Sequence, residues 1–152
     1  MRSVVLSLLI LAALITRAPA QMGMIPDAEI RRMIAVGTGQ VDGSLCGSKY
    51  CAPATAKKKA RPLLTVSEGR AVIMLGRAAG IAEVCGIDWR DRSFTPMMQY
   101  WRQTKKSERQ LALIGVLHGM GKRTVRTKTC SAQTKERWEK TIDFTPGKKP
   151  FV

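Results

Sequence analysis

Apolar residues recur at helical spacing in five stretches of this chain, which predicts an all-α architecture. The first stretch is short. Behind Asp27, which can cap a helix, Ile30, Met33 and Ile34 form one apolar stripe over residues 26–36, and Gly37 and Gly39 are expected to end it. From Thr38 to Leu63 the period is lost. The chain turns to Gly, Ser, Pro, Ala and Lys, with the cationic residues Lys57, Lys58, Lys59 and Arg61 before Pro62. That composition predicts loop or extended chain.

Thr65-Val66-Ser67-Glu68 opens the strongest helix. It has the form of a capping box, in which a threonine hydroxyl accepts from a first-turn amide and a glutamate three residues on reaches back to the threonine amide. From there to Val84 the centre (Ala71, Val72, Ile73, Met74, Leu75) is apolar on nearly every side, with Arg70, Arg77 and Glu83 as its polar face. A helix of that kind belongs inside a bundle. After Gly86 and a polar turn from Asp88 to Ser93, Thr95-Pro96 is expected to start a third helix, with the proline where a missing donor does no harm. Its expected buried face is Met97, Met98, Tyr100 and Trp101.

Ser107-Glu108-Arg109-Gln110 repeats the capping pattern and starts a fourth helix, through Leu111, Leu113, Ile114, Val116, Leu117 and His118 toward Val125. Ser131 to Phe144 predicts a last amphipathic helix, with Trp138 and Ile142 inward and Lys135, Arg137, Glu139 and Lys140 outward. Residues 145–152 are expected to be a basic, disordered tail. Gly76 and Gly80, and again Gly115 and Gly119, stand four apart on one helix face. A helical glycine costs about 1 kcal/mol, so a packing reason is expected: the second and fourth helices should touch along these strips.

Residues 1–20 set the compartment. Arg2, an apolar run from Val4 to Ile15, and small residues at Ala18 and Ala20 predict a signal peptide cleaved after Ala20. The run is short of the ~20 residues that span a bilayer. Export predicts that Cys46, Cys51, Cys85 and Cys130 pair, although four cysteines allow three connectivities. Cys46 and Cys51 would close a small ring. Cys85 and Cys130 each follow the end of a helix, and an up, down, up course would bring those ends together, so Cys46–Cys51 and Cys85–Cys130 are the expected bridges. A metal or redox role for Cys46 and Cys51 lacks both the two-residue spacing and a second ligand pair.

Charge then narrows the function classes. The chain carries 26 Lys plus Arg against 11 Asp plus Glu, a formal net charge of +15, with 5% aromatic residues and one histidine. Stacked-base platforms and most metal or triad chemistry are short of parts, so no catalytic residue, metal or cofactor is expected. Glu68, Glu83, Asp88 and Asp91 are the clustered acids, without the spacing of a hydrolytic pair. His118 is expected to be partly buried and to donate one hydrogen bond; its sharper reading is a proton-responsive switch. Lys57, Lys58, Lys59 and Arg61, and further on Lys122, Arg123, Arg126 and Lys128, form basic clusters that attract polyanions. Removal of residues 1–20 takes away Arg2 and Arg17 and no acid, leaving 24 basic residues against 11 acidic ones. In an exported protein the expected partner is lipid headgroups, lipopolysaccharide, an acidic polymer or an envelope assembly, rather than nucleic acid. The bland alternative is a set of solvated faces that keep a small protein soluble.

Ala82-Glu83-Val84-Cys85-Gly86, Trp89-Arg90, Met97-Met98, Ser107-Glu108-Arg109 and Lys128-Thr129-Cys130-Ser131 together resemble small exported alphaproteobacterial helical proteins of unknown function, over about residues 66–142. The resemblance implies a helical periplasmic domain with a disulfide between Cys85 and Cys130, and it carries over no catalytic residue. The expected molecule is an all-α, disulfide-stapled bundle of four to five helices with a basic N-terminal loop region. It divides into a signal peptide (1–20), a short helix with a loop (21–64), a helical domain (65–144) and a tail (145–152). Its expected role is that of a non-catalytic periplasmic or secreted accessory protein of the cell envelope. Two alternatives stand beside it: a pH-responsive periplasmic stress chaperone and a small cell-wall hydrolase.

Overall fold

The computed structural model describes residues 25–53, 55 and 62–147. Among them lie five α-helices, α1 (Asp27–Val41), α2 (Val66–Val84), α3 (Thr95–Gln103), α4 (Glu108–Arg123) and α5 (Ala132–Thr141), and one antiparallel ribbon, β1 (Leu45–Cys46) with β2 (Lys49–Tyr50). The fold is all-α and stapled by two disulfides, Cys46–Cys51 and Cys85–Cys130. The predicted signal peptide and the Lys57, Lys58, Lys59 and Arg61 run lie outside the described residues, as do Lys148 and Lys149.

Local signals define the two central helices. At the start of α2 the Thr65 hydroxyl accepts from the Glu68 amide at 3.2 Å, and the Thr65 amide donates to the Glu68 carboxylate at 2.8 Å. Ser107 and Gln110 repeat the reciprocal pair at the start of α4. Four otherwise orphaned groups are satisfied in this way. At the far end of α2 the Ile87 amide donates to the Ala82 carbonyl at 2.9 Å and the Gly86 amide to the Glu83 carbonyl at 3.1 Å, with Gly86 at φ +66°. This left-handed closure needs glycine and turns the chain sharply away after Cys85.

α2 and α4 make the most extensive contact in the molecule. Gly76 faces the His118 carbonyl so closely that an added Cβ would lie 2.1 Å from it, and at Gly80 the distance to the Lys122 carbonyl would be 2.7 Å. The partners advance together along both chains, so the helices run parallel. On α4 the expected pair is corrected. Gly121, not Gly115 or Gly119, meets α2: a Cβ on it would lie 2.2 Å from the Ile73 carbonyl, whereas Gly115 has nothing within 4 Å. The helical period explains the difference, because the buried face of α4 runs through Ile114, Leu117, His118 and Gly121, and Gly115 and Gly119 fall off it.

α1 does not stop at Gly37. It continues to Val41, which is fully buried, and gives way at Asp42 and Gly43, where φ reaches +90°. Gly37 serves packing instead of termination: a Cβ there would lie 2.9 Å from Leu113 and 3.1 Å from Leu117, so its bareness lets α1 settle onto α4. The main core joins Ile30 and Ile34 of α1 to Ile73, Met97, Ile114 and Leu117. A second cluster around Cys85 holds Ala78, Ala82, Ile87, Trp138 and Ile142, which docks α5 against the end of α2 as the Trp138 and Ile142 spacing predicts.

The return from α2 to α4 also departs from expectation. Helical backbone starts before Thr95, in a π turn from Arg90 to Phe94 whose last bond runs from the Thr95 amide to the Arg90 carbonyl. Pro96 has no amide proton to give the Arg92 carbonyl. The Phe144 amide takes that carbonyl at 3.0 Å. The Arg92 guanidinium then grips both carboxylate oxygens of Asp143, at 2.7 and 2.9 Å. These bonds draw residues 143 and 144 out of helical register, which is why α5 ends at Thr141 and not at Phe144.

Two predictions follow from the backbone contact and the staples. Gly121→Ala should cost about 3 kcal/mol by driving a methyl into the Ile73 carbonyl, while Gly115→Ala should gain roughly 0.5–1 kcal/mol of helix propensity; urea denaturation reads the opposite signs, and shifts of one sign would remove the assignment. Replacing Cys85 and Cys130 by Ala opens a loop with a sequence separation of 45, against 5 for Cys46 and Cys51. Chain entropy puts these at about 4 and about 2 kcal/mol, so melting the two double variants should rank them in that order.

Candidate functional site

The C-terminal end of α4 concentrates cations. Lys122 and Arg123 sit in its last turn, where positive charge offsets the negative end of the helix dipole. No acid lies between Glu108 and Glu136 in the sequence. Lys122 turns inward: its ammonium lies 2.7 Å from the Glu83 carboxylate and 4.6 Å from the centre of the Trp89 ring. Arg123, Arg126 and Lys128 are exposed and have no ion-pair partner among the described residues. The structure therefore places three of the expected anion-binding residues together in one stretch at the end of α4 and commits a fourth, Lys122, to an internal contact. Lys57, Lys58, Lys59 and Arg61 fall outside the described residues.

Four other cations are taken up by acids of a different segment. Arg70 pairs with Asp27, Arg92 with Asp143, Lys106 with Glu68 at 2.5 Å and Arg109 with Asp42 at 2.7 Å. Burial by itself raises the Glu68 carboxyl pKa, but Lys106 together with the Thr65 amide and hydroxyl outweighs it and holds the group below the usual carboxylate range. Glu68 and Glu83, the carboxylates considered for hydrolysis, stand at opposite ends of α2, on the order of 20 Å apart at 1.5 Å per residue. Asp88 accepts the Asp91 amide at 3.1 Å and so caps the turn into Trp89. Among the described residues no three His, Cys, Asp or Glu side chains are placed to hold a metal ion.

Beside this cationic end lies the imidazole. His118 is buried, 3% exposed, with the Trp89 ring stacked on it at 5.6 Å and the Phe94 ring tilted against it at 4.8 Å. Its Nε2 has no hydrogen-bond partner, and neither does the buried Ser93 hydroxyl. Aromatic faces rather than acceptors wall this side of the ring and leave Nε2 unpaired. Burial first, and the Lys122 charge second, push its pKa down to about 4, so the ring is neutral at physiological pH. Trp89 and Phe94 were not legible as partners of His118. Trp89 and Phe94 stand five apart, a separation that the wide π turn brings onto one ring and a 3.6-residue period does not.

No protein-family model, curated protein or solved structure matches this chain.

The acid response of the fold should run through His118. Its folded pKa lies below the unfolded value of 6.5, so its contribution to stability is complete above pH 6.5 and is lost as pH falls toward 4. The loss should be about 2 kcal/mol between pH 7 and pH 4.5. His118→Phe keeps an aromatic ring against Trp89 and Phe94 but takes up no proton. Its urea midpoint should fall less steeply with acid than that of the parent, and parallel pH profiles would exclude His118 as the cause.

Proposed function

We propose that this protein is exported and acts without catalysis, as a periplasmic or secreted accessory protein of the cell envelope. It docks through unpaired cations on anionic envelope material or on an envelope assembly such as a secretion or conjugation apparatus. The observation that carries this reading is the acid-free stretch from Arg109 to Lys135, in which Arg123, Arg126 and Lys128 stand exposed with no ion-pair partner among the described residues. Such clusters draw polyanions by counterion release and long-range steering. Two closed disulfides support an oxidising compartment. The apolar run behind Arg2 supports export through a cleaved leader.

One observation favours a second reading, a pH-responsive periplasmic chaperone. A proton on His118 would place a charge between Trp89 and Phe94 with no acceptor at Nε2, and loosening there would uncover apolar surface. The two readings separate by condition. Docking by cations works at neutral pH and fails in salt, whereas a chaperone of this kind suppresses client aggregation only in acid.

Cell fractionation tests the first reading. The chain should lack residues 1–20, resist alkylation at all four cysteines, and stay with the envelope until released by roughly 0.5 M salt, where the Debye length is about 4 Å. The variant Arg123→Glu/Arg126→Glu/Lys128→Glu should be released at much lower salt. Full-length chain in the cytosol, with cysteines open to alkylation, would overturn the proposal.

A further inference from the structure

Leu45 and Tyr50 are held outside the core by the ribbon that carries them. The register sets Leu45 opposite Tyr50 and Cys46 opposite Lys49, and directly opposed residues project from the same face of a ribbon. Cys46 packs against the main core, so the other face, with Leu45 63% and Tyr50 75% exposed, looks outward. The Cys46–Cys51 bridge closes the ribbon, and Arg109 ties its base to α4 by donating to the Ala52 carbonyl at 2.5 Å and to Asp42 at 2.7 Å. The apolar pair is a fixed projection.

A hollow lies beside the projection. This groove, of about 440 Å³, is lined by Leu45 of the ribbon, Met98 and Arg102 of α3, and Ala112, Gly115 and Val116 of α4. Gly115 leaves the α4 side bare: a Cβ on it would have nothing within 4 Å. A helical glycine costs about 1 kcal/mol, and no packing among the described residues makes use of this one. The charges of the groove are balanced. Arg102 and Glu108 both line it, are exposed, and have no ion-pair partner among the described residues.

We infer that this face docks on the same face of a second copy, as a two-fold dimer in which Leu45 and Tyr50 of each chain enter the groove of the other. Three observations select a second copy. Projection and hollow sit side by side on one face, as an isologous interface requires, because each chain must offer both halves of the fit. Arg102 and Glu108 share the groove, and a two-fold axis beside it sets Arg102 of one chain against Glu108 of its partner, so charges left unpaired in the single chain are matched across the dimer. The wider surface opposes self-association, since without residues 1–20 the chain has 24 basic residues against 11 acidic ones and two copies repel. That repulsion is weakest where the signs balance, which is at this groove. Two leucines, two tyrosines and the surface they cover amount to roughly 1,000 Å², the low end of specific interfaces, so the dimer is a weak and reversible one. Arg123, Arg126 and Lys128 do not line the groove, so the dimer and the anionic docking proposed above stand or fall separately.

Sedimentation velocity tests this, on the chain as purified from cells with both disulfides closed, from about 10 μM to about 1 mM, where interfaces of this size associate. The parent should pass from monomer toward dimer over that range, and more readily at roughly 0.5 M salt than at roughly 0.05 M, because salt screens the general repulsion; docking on a polyanion has the opposite salt dependence. Tyr50→Ser and, separately, Gly115→Leu, which fills the groove from open space, should each weaken the dimer roughly tenfold with circular dichroism and free-thiol assay unchanged. Arg102→Glu and Glu108→Arg should each weaken it too, and the two together should restore it. Since Arg102→Glu lowers the net charge, association limited by repulsion alone would instead strengthen. A monomer throughout, a dimer indifferent to Tyr50→Ser and Gly115→Leu, or a charge exchange that restores nothing overturns the two-fold dimer and leaves cationic docking intact.

Discussion

Direct backbone contact between α2 and α4 is the constraint on which the rest of the fold depends. Three glycines, Gly76, Gly80 and Gly121, allow carbonyls of the facing helix to come where a methyl group would stand. A close approach along parallel axes requires a return segment between the two helices. The π turn and α3 supply it, with the broken bond at Pro96 made good by Phe144. Parallel packing also brings two helix C-termini together. That places Cys85 where Cys130 can reach it and sets two negative dipole ends side by side, a place where cations such as Lys122 and Arg123 are electrostatically favoured.

The same contact creates the least satisfied part of the interior. Because the His118 carbonyl lies against Gly76, the side chain of His118 emerges on the flank of the helix pair, where Trp89 and Phe94 close over it. Lys122, one turn on, is held between Glu83 and the face of Trp89. A buried imidazole without a partner for Nε2 costs stability that a leucine would not. The disulfide and the clustered apolar residues around Cys85 supply the compensation nearby.

What the sequence disclosed followed from the range of the forces involved. Capping boxes at Thr65 and Ser107, the greasy centre of α2, the inward pair Trp138 and Ile142, and both cysteine pairings rest on signals within a turn or two of chain, or on helix ends that topology must bring together. Gly37 misled because a glycine that ends a helix and one that admits a neighbouring leucine look alike until the neighbour is known. Gly121 carries no mark of its own for the converse reason: a spacing of four singles out other glycines, while the contact falls on a single glycine whose importance depends on the buried face of α4. The π turn has no 3.6-residue signature, so the grouping of Trp89, Phe94 and His118 was not visible. The ribbon did have a local sign, Gly47-Ser48 between two short runs, but two-residue strands give no alternation to read. Lys105, at φ +58°, closes α3 in a conformation that usually takes glycine, and nothing in the sequence announced it.

The distribution of acids explains why net charge becomes surface charge. Asp27, Asp42, Glu68, Glu83 and Asp143 each pair with a cation from a different element: Arg70, Arg109, Lys106, Lys122 and Arg92. With 11 acidic residues against 26 basic ones in the chain, acids placed at these junctions cannot also screen the outer faces. The cations beyond α4 are left in excess by that allocation. Solubility alone is indifferent to sign and would be served by mixed charge.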